Sequence, residues 1–513
     1  MPSQKRCPNG TRFNPKTATC ETQKNKRAKC PNGTRFNRKT GACETQKNKR
    51  AKCPNGTRRN KKTGQCEPPL VETTKLEDAL RRIRATERIR HFFLKNKHKI
   101  RSLFLKGVCA DSGQCLAFGT HAEKIRRFFG GFTSFAFLTG IKKIGASSAN
   151  GLIYELEYTH QNYTSYAVLK MNAATNTDSL LYEKLTGDTI NRYSKYYPCF
   201  VETYGSYTLP KELWTKLMSR TQPLLKKKDL TEFSLDPNDS YDKVESCRPA
   251  YYKTKALLIQ HIKSQSKYAT IDECLKDTSF VDTDLPFVLY QIYSVLGALA
   301  NQFTHYDLHT NNVLMYRIKT NHYIVCHYHS ADGSKMSFKS KYLPKIIDYG
   351  RSYVRHPDAL ESPEEFRKSL CAIKNCNQPS TPCGIKYGYT WLNPAPNKDY
   401  INSTKNNISH DLRLASMVKE RMKKAGHTTG RMLDLLDQVV FTRRYGTKEE
   451  TDSGADKGLI YNVKDMANAM HHFIQLPNVV QQNVERYETH HSLGDMHVYL
   501  DGSRPVRFDP ETP

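Results

Sequence analysis

His305-Tyr306-Asp307-Leu308-His309-Thr310-Asn311-Asn312 is the stretch on which the reading of this 513-residue chain turns. Immediately before it, Val288, Leu289, Ile292, Val295, Leu296, Leu299 and Phe303 recur at helical spacing and predict a buried helix. Further on, Lys345-Ile346-Ile347-Asp348-Tyr349-Gly350 places a second carboxylate at the end of an apolar strand. Two acids and a carboxamide therefore sit at element ends, where side chains can converge.

Upstream, Ile144-Gly145-Ala146-Ser147-Ser148-Ala149-Asn150-Gly151 has the texture of a strand–turn–strand built from small residues. Such residues let backbone N–H groups approach phosphates without Cβ clashes. Gly145, Ser147 and Gly151 are the candidates there. The next strand, Tyr166-Ala167-Val168-Leu169-Lys170, ends on a lysine placed to hold α- and β-phosphates. Glu183, on the helix that follows, is its candidate ion-pair partner. Two more apolar strands are expected at Cys199–Tyr204 and Ala256–Ile262, with a polar insertion at roughly 207–248 between them. The second would end at a hinge, His261 and Ile262, against which an adenine ring hydrogen-bonds. Phosphoryl transfer needs such a set. Asp307 would accept or orient the proton of the nucleophile, and Asn312 with Asp348 would hold Mg²⁺ across the β- and γ-phosphates of ATP.

H-Y-D-L-H-T-N-N and D-Y-G resemble the H-R-D-L-x-x-x-N and D-F-G motifs of protein kinases, and the resemblance spans about 141 to 480. It implies an α/β (α+β) two-lobed fold with an N-lobe at 141–262 and a C-lobe at 263–513. It also implies Lys170 on the phosphates, Glu183 from the C-helix, Asp307 as catalytic base, and Asn312 and Asp348 on magnesium. Asp411, in Ile408-Ser409-His410-Asp411-Leu412-Arg413, resembles the helix-F aspartate that anchors the catalytic loop. There are departures from the pattern. Tyr306 replaces the arginine that pairs with a phosphorylated activation loop, and His309 stands where Ser/Thr kinases carry lysine. H-x-D-L-H is also how aminoglycoside- and choline-type small-molecule kinases read. A long interval separates Asn312 from Asp348, with a hairpin signal at Ala331-Asp332-Gly333-Ser334. The segment 351–408 carries Cys371, Cys376 and Cys383, which read as packing residues or a disulfide, and Ala395-Pro396-Asn397 weakly resembles A-P-E. Beyond it, helical spacing marks 411–424, 430–443 and 464–474, and Met496–Leu500 reads as a strand.

Residues 1–67 are unlike the rest. Cys7-Pro8-Asn9-Gly10-Thr11 recurs at Cys30 and Cys53, a period of 23, with Cys20, Cys43 and Cys66 in step. Nineteen Lys/Arg against three Glu give this segment +16 of a chain total of +30. Disulfides, zinc and free thiols are all compatible with the pattern, and within-unit pairing is the simplest of the 15 connectivities open to six cysteines. An extension at 68–140 follows, with an amphipathic basic helix expected from about 75 to 106 and a two-cysteine turn at Cys109–Cys115. A cysteine-turn repeat fused to a kinase-like domain resembles proteins of the large nucleocytoplasmic DNA viruses. That resemblance implies a virus-encoded Ser/Thr kinase-like protein acting on a protein substrate, possible cargo of the virion.

The net charge favours contact with polyanions, nucleic acid or acidic virion proteins, through the basic N-terminal arm. Hydrophobic residues make up 38% and mean hydropathy is −0.69, and no apolar run reaches the roughly 18–20 residues of a spanning helix. The N-terminus has no apolar signal region, so host cytoplasm or the virion is the expected location.

Overall fold

A computed structural model of the chain describes residues 11–14, 19–22, 30–32, 34–37, 39–45, 53, 58–59, 64–67, 107–144, 151–161, 163–172, 180–219, 223–235, 255–263, 269–355, 390–391, 399–403, 405–441 and 457–511. It divides into two units, 1–95 and 96–513. In the first, each repeat forms a small hairpin: Thr11–Asn14 with Thr19–Thr22, Thr34–Phe36 with Cys43–Thr45, and Arg58–Arg59 with Cys66–Glu67. Disulfides join Cys30 to Cys43 and Cys53 to Cys66, which is the within-unit pairing. The turns are set by glycine at positive φ, Gly41 at 70° and Gly64 at 74°. Glu44 accepts hydrogen bonds from Asn37 and Thr40, so this unit is held by polar turns and a covalent staple in place of a core.

The second unit is mixed α/β. Its six-stranded antiparallel sheet runs in the order Ser234–Leu235, Thr203–Thr208, Lys255–Gln260, Tyr163–Asn172, Gly151–His160 and Leu138–Lys143. Alternation decides its faces. Leu152, Tyr154, Leu156 and Tyr158 join Ala167, Leu169 and Met171 in one buried cluster with Phe129, Phe132, Leu213 and Leu230. The residues between them, Ile153 and Lys170 among them, face the other way and pair in register. The sequence placed a strand at Cys199–Tyr204, whereas the strand is Thr203–Thr208. Phe200 instead makes an isolated parallel bridge to Ile346, and the Tyr349 hydroxyl meets the Val201 amide.

The larger core surrounds the helix Leu285–Ala298, which is buried along nearly its whole length. This is the helix expected before His305. Gly297 is where the helix Val463–Ile474 comes close, since an added Cβ would lie 2.8 Å from that of Ala467. The hairpin signal at 331–334 closes the strands His322–His329 and Lys335–Ser340. These form one four-stranded sheet with the C-terminal strands His491–Tyr499 and Arg507–Pro510. Helix Arg413–Lys424 matches expectation, while Arg431–Asp437 stops short of 443 because Val439 turns into a bridge with Ile460. Cys109 and Cys115 form a disulfide-closed hairpin. Among the described residues no helix is long and apolar enough to cross a membrane. The expected helix at 75–106, the three cysteines Cys371, Cys376 and Cys383, and Ala395–Asn397 lie outside the described residues.

Candidate functional site

Lys170 leaves the strand Tyr163–Asn172 on the face opposite the aromatic cluster. Its Nζ lies 2.7 Å from Oε2 of Glu183, in the first turn of the helix Leu180–Ser194, and 3.0 Å from Oδ1 of Asp348. Glu183 is almost fully buried at 3% side-chain exposure, so its charge depends on the lysine for compensation. The Lys170 ammonium likewise holds the Asp348 carboxyl below the usual range. Asp348 sits at φ 70°, ψ 67°, the left-handed region that aspartate tolerates better than most residues.

The His305–Asn312 loop is fixed from behind. Asp411, buried, accepts the backbone amides of His305 at 2.7 Å and Tyr306 at 3.1 Å. Burial pushes its carboxyl up to about 7, against the opposing pull of those amide bonds. The two bonds help hold Tyr306 at φ 62°, which a bulky side chain adopts only under constraint. The Tyr306 hydroxyl donates to the Lys405 carbonyl at 2.7 Å. His305 Nε2 meets the Ile347 carbonyl at 2.9 Å, and its Nδ1 accepts the Asp307 amide at 3.3 Å. A carbonyl only accepts, so the proton is on Nε2, and burial depresses the imidazole to about 4, keeping it neutral.

These constraints bring the remaining residues together. The Ile347 amide donates to the Asn312 carbonyl at 3.0 Å, which ties the Asp348 strand end to the loop. The Asn312 carboxamide donates its N–H to the Asp307 carbonyl at 2.9 Å, leaving Oδ1 as its free lone-pair bearer. Asp307 is clamped twice: Arg413 Nη1 is 2.6 Å from Oδ1, and Arg351 Nη1 is 2.9 Å from Oδ2. Arg413 also reaches Asp399 at 2.9 Å. Among the described residues no group of three or more His, Cys, Asp and Glu is arranged to hold a metal. Asn312 and Asp348 can supply two oxygens, which suits an ion such as Mg²⁺ that takes few protein ligands and completes its shell with phosphates and water.

His261 and Ile262 follow the strand Lys255–Gln260. His261 Nε2 lies 2.9 Å from Glu155, and Lys263 Nζ is 2.5 Å from the other Glu155 oxygen. Gln114, from the disulfide hairpin, donates its amide to the His261 carbonyl at 2.6 Å and accepts the Lys263 amide at 2.8 Å. Both ends of one carboxamide thus clamp alternate residues along one edge of the segment. Gly151 begins its strand opposite Asn172, while Gly145 and Ser147 lie outside the described residues.

Sequence reading placed Lys170, Glu183, Asp307, Asn312, Asp348 and Asp411, and the structure brings all six into one region. It missed Arg351, Arg413, Gln114 and Glu155. Arg351 directly follows Asp348-Tyr349-Gly350 and Arg413 lies two positions after Asp411, so both were near quoted motifs. Gln114 and Glu155 carry no local signal, being far in sequence from what they bind. No protein-family model matches the chain, and no curated protein matches it.

Proposed function

We propose that the chain is a Mg-ATP-dependent phosphotransferase with a two-lobed protein-kinase-like fold, passing the γ-phosphoryl group to a Ser/Thr hydroxyl on protein. In this reading 141–262 is the nucleotide-binding lobe and 263–513 the catalytic lobe. One observation carries it. Lys170 bridges Glu183 and Asp348 from positions 13 and 178 residues away in sequence, beside a loop that presents Asp307 and Asn312. In this reading the lysine, held by two carboxylates from separate elements, is aimed at the phosphates.

Lys170, aimed by Glu183, would bind the α- and β-phosphates. Asn312 and Asp348 would hold Mg²⁺, which when bound neutralises charge on the β- and γ-phosphates. Asp307 would orient the acceptor hydroxyl and take its proton. Arg351, with 36% side-chain exposure, is the member of the Asp307 clamp placed to yield to an incoming hydroxyl, while the more buried Arg413 keeps the carboxylate aimed. Ile262 would offer the hinge edge that Gln114 leaves open. The +30 charge suits a protein that works beside nucleic acid or acidic partners, in host cytoplasm or packaged in a particle.

The test is transfer of label from γ-labelled Mg-ATP onto basic and acidic protein mixtures, by wild type and by Asp348→Ala. Label seen only with wild type supports the proposal. Magnesium-dependent ATP binding without protein label redirects it to a metabolite kinase of aminoglycoside or choline type. Absence of both label and ATP binding rejects catalysis and leaves a structural particle component.

A further inference from the structure

A recess of about 190 Å³ opens on the unit 96–513, lined by Arg317, Lys319, His322, Lys341, Arg486 and His490 together with the turn Ile318–Asn321. Its charge is poorly balanced. Asp284, at 5% side-chain exposure, serves two of the cations: Lys341 at 3.0 Å and Arg486 at 3.5 Å on the same oxygen. Its other oxygen accepts the Tyr487 hydroxyl at 2.8 Å. Asp111 accepts the Thr320 amide and hydroxyl, and the charges of Arg317 and Lys319 help hold its carboxyl low, which leaves two acids against four cations. Among the described residues neither Arg317 nor Lys319 has a carboxylate within ion-pairing distance, and both are exposed at the rim.

The cluster is also crowded with like charge. Burial lowers the Lys341 pKa, and the charges of Arg486 and Arg317 push it the same way, against the pull of Asp284. Among the described residues Arg486 Nε and His490 Nδ1 are buried and find no hydrogen-bond partner. Such like-charge crowding is relieved by a bound anion, and guanidinium forks match tetrahedral oxyanions in geometry. The volume is smaller than the roughly 300 Å³ at which pockets for organic ligands begin.

We infer that this recess is a phosphate-binding site for a compact dianion, either inorganic phosphate or the terminal group of a phosphate monoester. Arg317 and Lys319 close over the anion from the rim, and Lys341 and Arg486 meet it from the Asp284 side. The site is separate from the residues around Asp307 and stands whether or not these transfer phosphate.

Calorimetric titration of the full chain with inorganic phosphate, and separately with phenyl phosphate, tests it. The comparison is with Arg317→Glu and with Arg317→Ala, both at an exposed position. Each variant should melt at the wild-type temperature without phosphate. Saturable binding weakened at least tenfold in Arg317→Glu, and less in Arg317→Ala, is the expected result. Inorganic phosphate bound alone identifies the free anion, and both ligands bound equally identifies a site for the phosphate group itself. Absence of saturable heat in wild type, or affinity unchanged in Arg317→Glu, overturns the site. The latter would assign any binding to the basic repeats or the Lys170 region.

Discussion

Arg413 Nη1 lies 2.6 Å from Oδ1 of Asp307, with both side chains nearly buried, at 13% and 12% exposure. The same guanidinium holds Asp399, so one cation serves two carboxylates drawn from different segments. Asp307 is therefore a residue whose direction is set by its neighbours.

Removing Arg413 should damage both stability and turnover. Arg413→Ala takes one of two guanidinium contacts from Asp307 and the Arg413 contact from Asp399, both mostly buried, and breaking such a pair costs about 3 kcal/mol or more. Urea unfolding should show that loss. Arg413→Lys should recover part of it, since a point charge keeps one contact while losing the fork. Equal stability in the alanine variant and wild type would contradict the clamp.

Asp307→Asn should leave the fold intact and cut phosphoryl transfer by about 10²–10⁴. Asp348→Ala should abolish transfer and remove the magnesium dependence of ATP binding. Circular dichroism and labelled transfer, measured on the same preparations, check both. Substantial turnover in either variant would reject the assigned roles.

Glu155 predicts a specific acid limb. The His261 hydrogen bond, with the Lys263 contact, holds its carboxyl at about 2, below the ordinary 4.5 of the unfolded chain. The stability it contributes is complete above 4.5 and is lost as the pH falls from there toward 2. Glu155→Gln should flatten that limb by at most about 3 kcal/mol. Denaturation series at pH 7, 4.5 and 3 would expose the difference, and parallel limbs would count against the ion pair.

Gln114 is 2% exposed and uses both ends of its carboxamide on the segment after the Lys255–Gln260 strand. Gln114→Ala should destabilise by about 1–3 kcal/mol for each buried group left unpaired. Weaker Mg-ATP binding should accompany it if that segment holds adenine. Reducing the Cys109–Cys115 disulfide next to Gln114 should act in the same direction. Nucleotide titration with and without reductant is the measurement. An unchanged affinity in the alanine variant would separate the hairpin from the nucleotide site.

Local patterning was legible where chemistry and periodicity coincide. The apolar spacing from Val288 to Phe303 specified a buried helix, Tyr166–Lys170 specified a strand ending on a cation, and Ala331-Asp332-Gly333-Ser334 specified a turn. The 23-residue repeat marked the cysteine spacing but left disulfides, zinc and free thiols open, and the fold decides for within-unit disulfides at Cys30–Cys43 and Cys53–Cys66. Boundaries were less secure. Thr203–Thr208 begins later than its apolar run because Phe200 and Val201 are claimed by Ile346 and Tyr349.

The sequence by itself marked the residues on which the proposed chemistry rests: Lys170, Glu183, Asp307, Asn312, Asp348 and Asp411. Side-chain type and spacing within a turn or strand are local properties, and the pattern holds them. Tertiary structure alone decided what surrounds these residues. Arg351 and Arg413 on Asp307, Gln114 on the His261 segment, and Asp284 beneath Lys341 and Arg486 are long-range pairings. Each depends on where burial makes a charge or an amide costly to leave unpaired, and burial is a property of the folded chain.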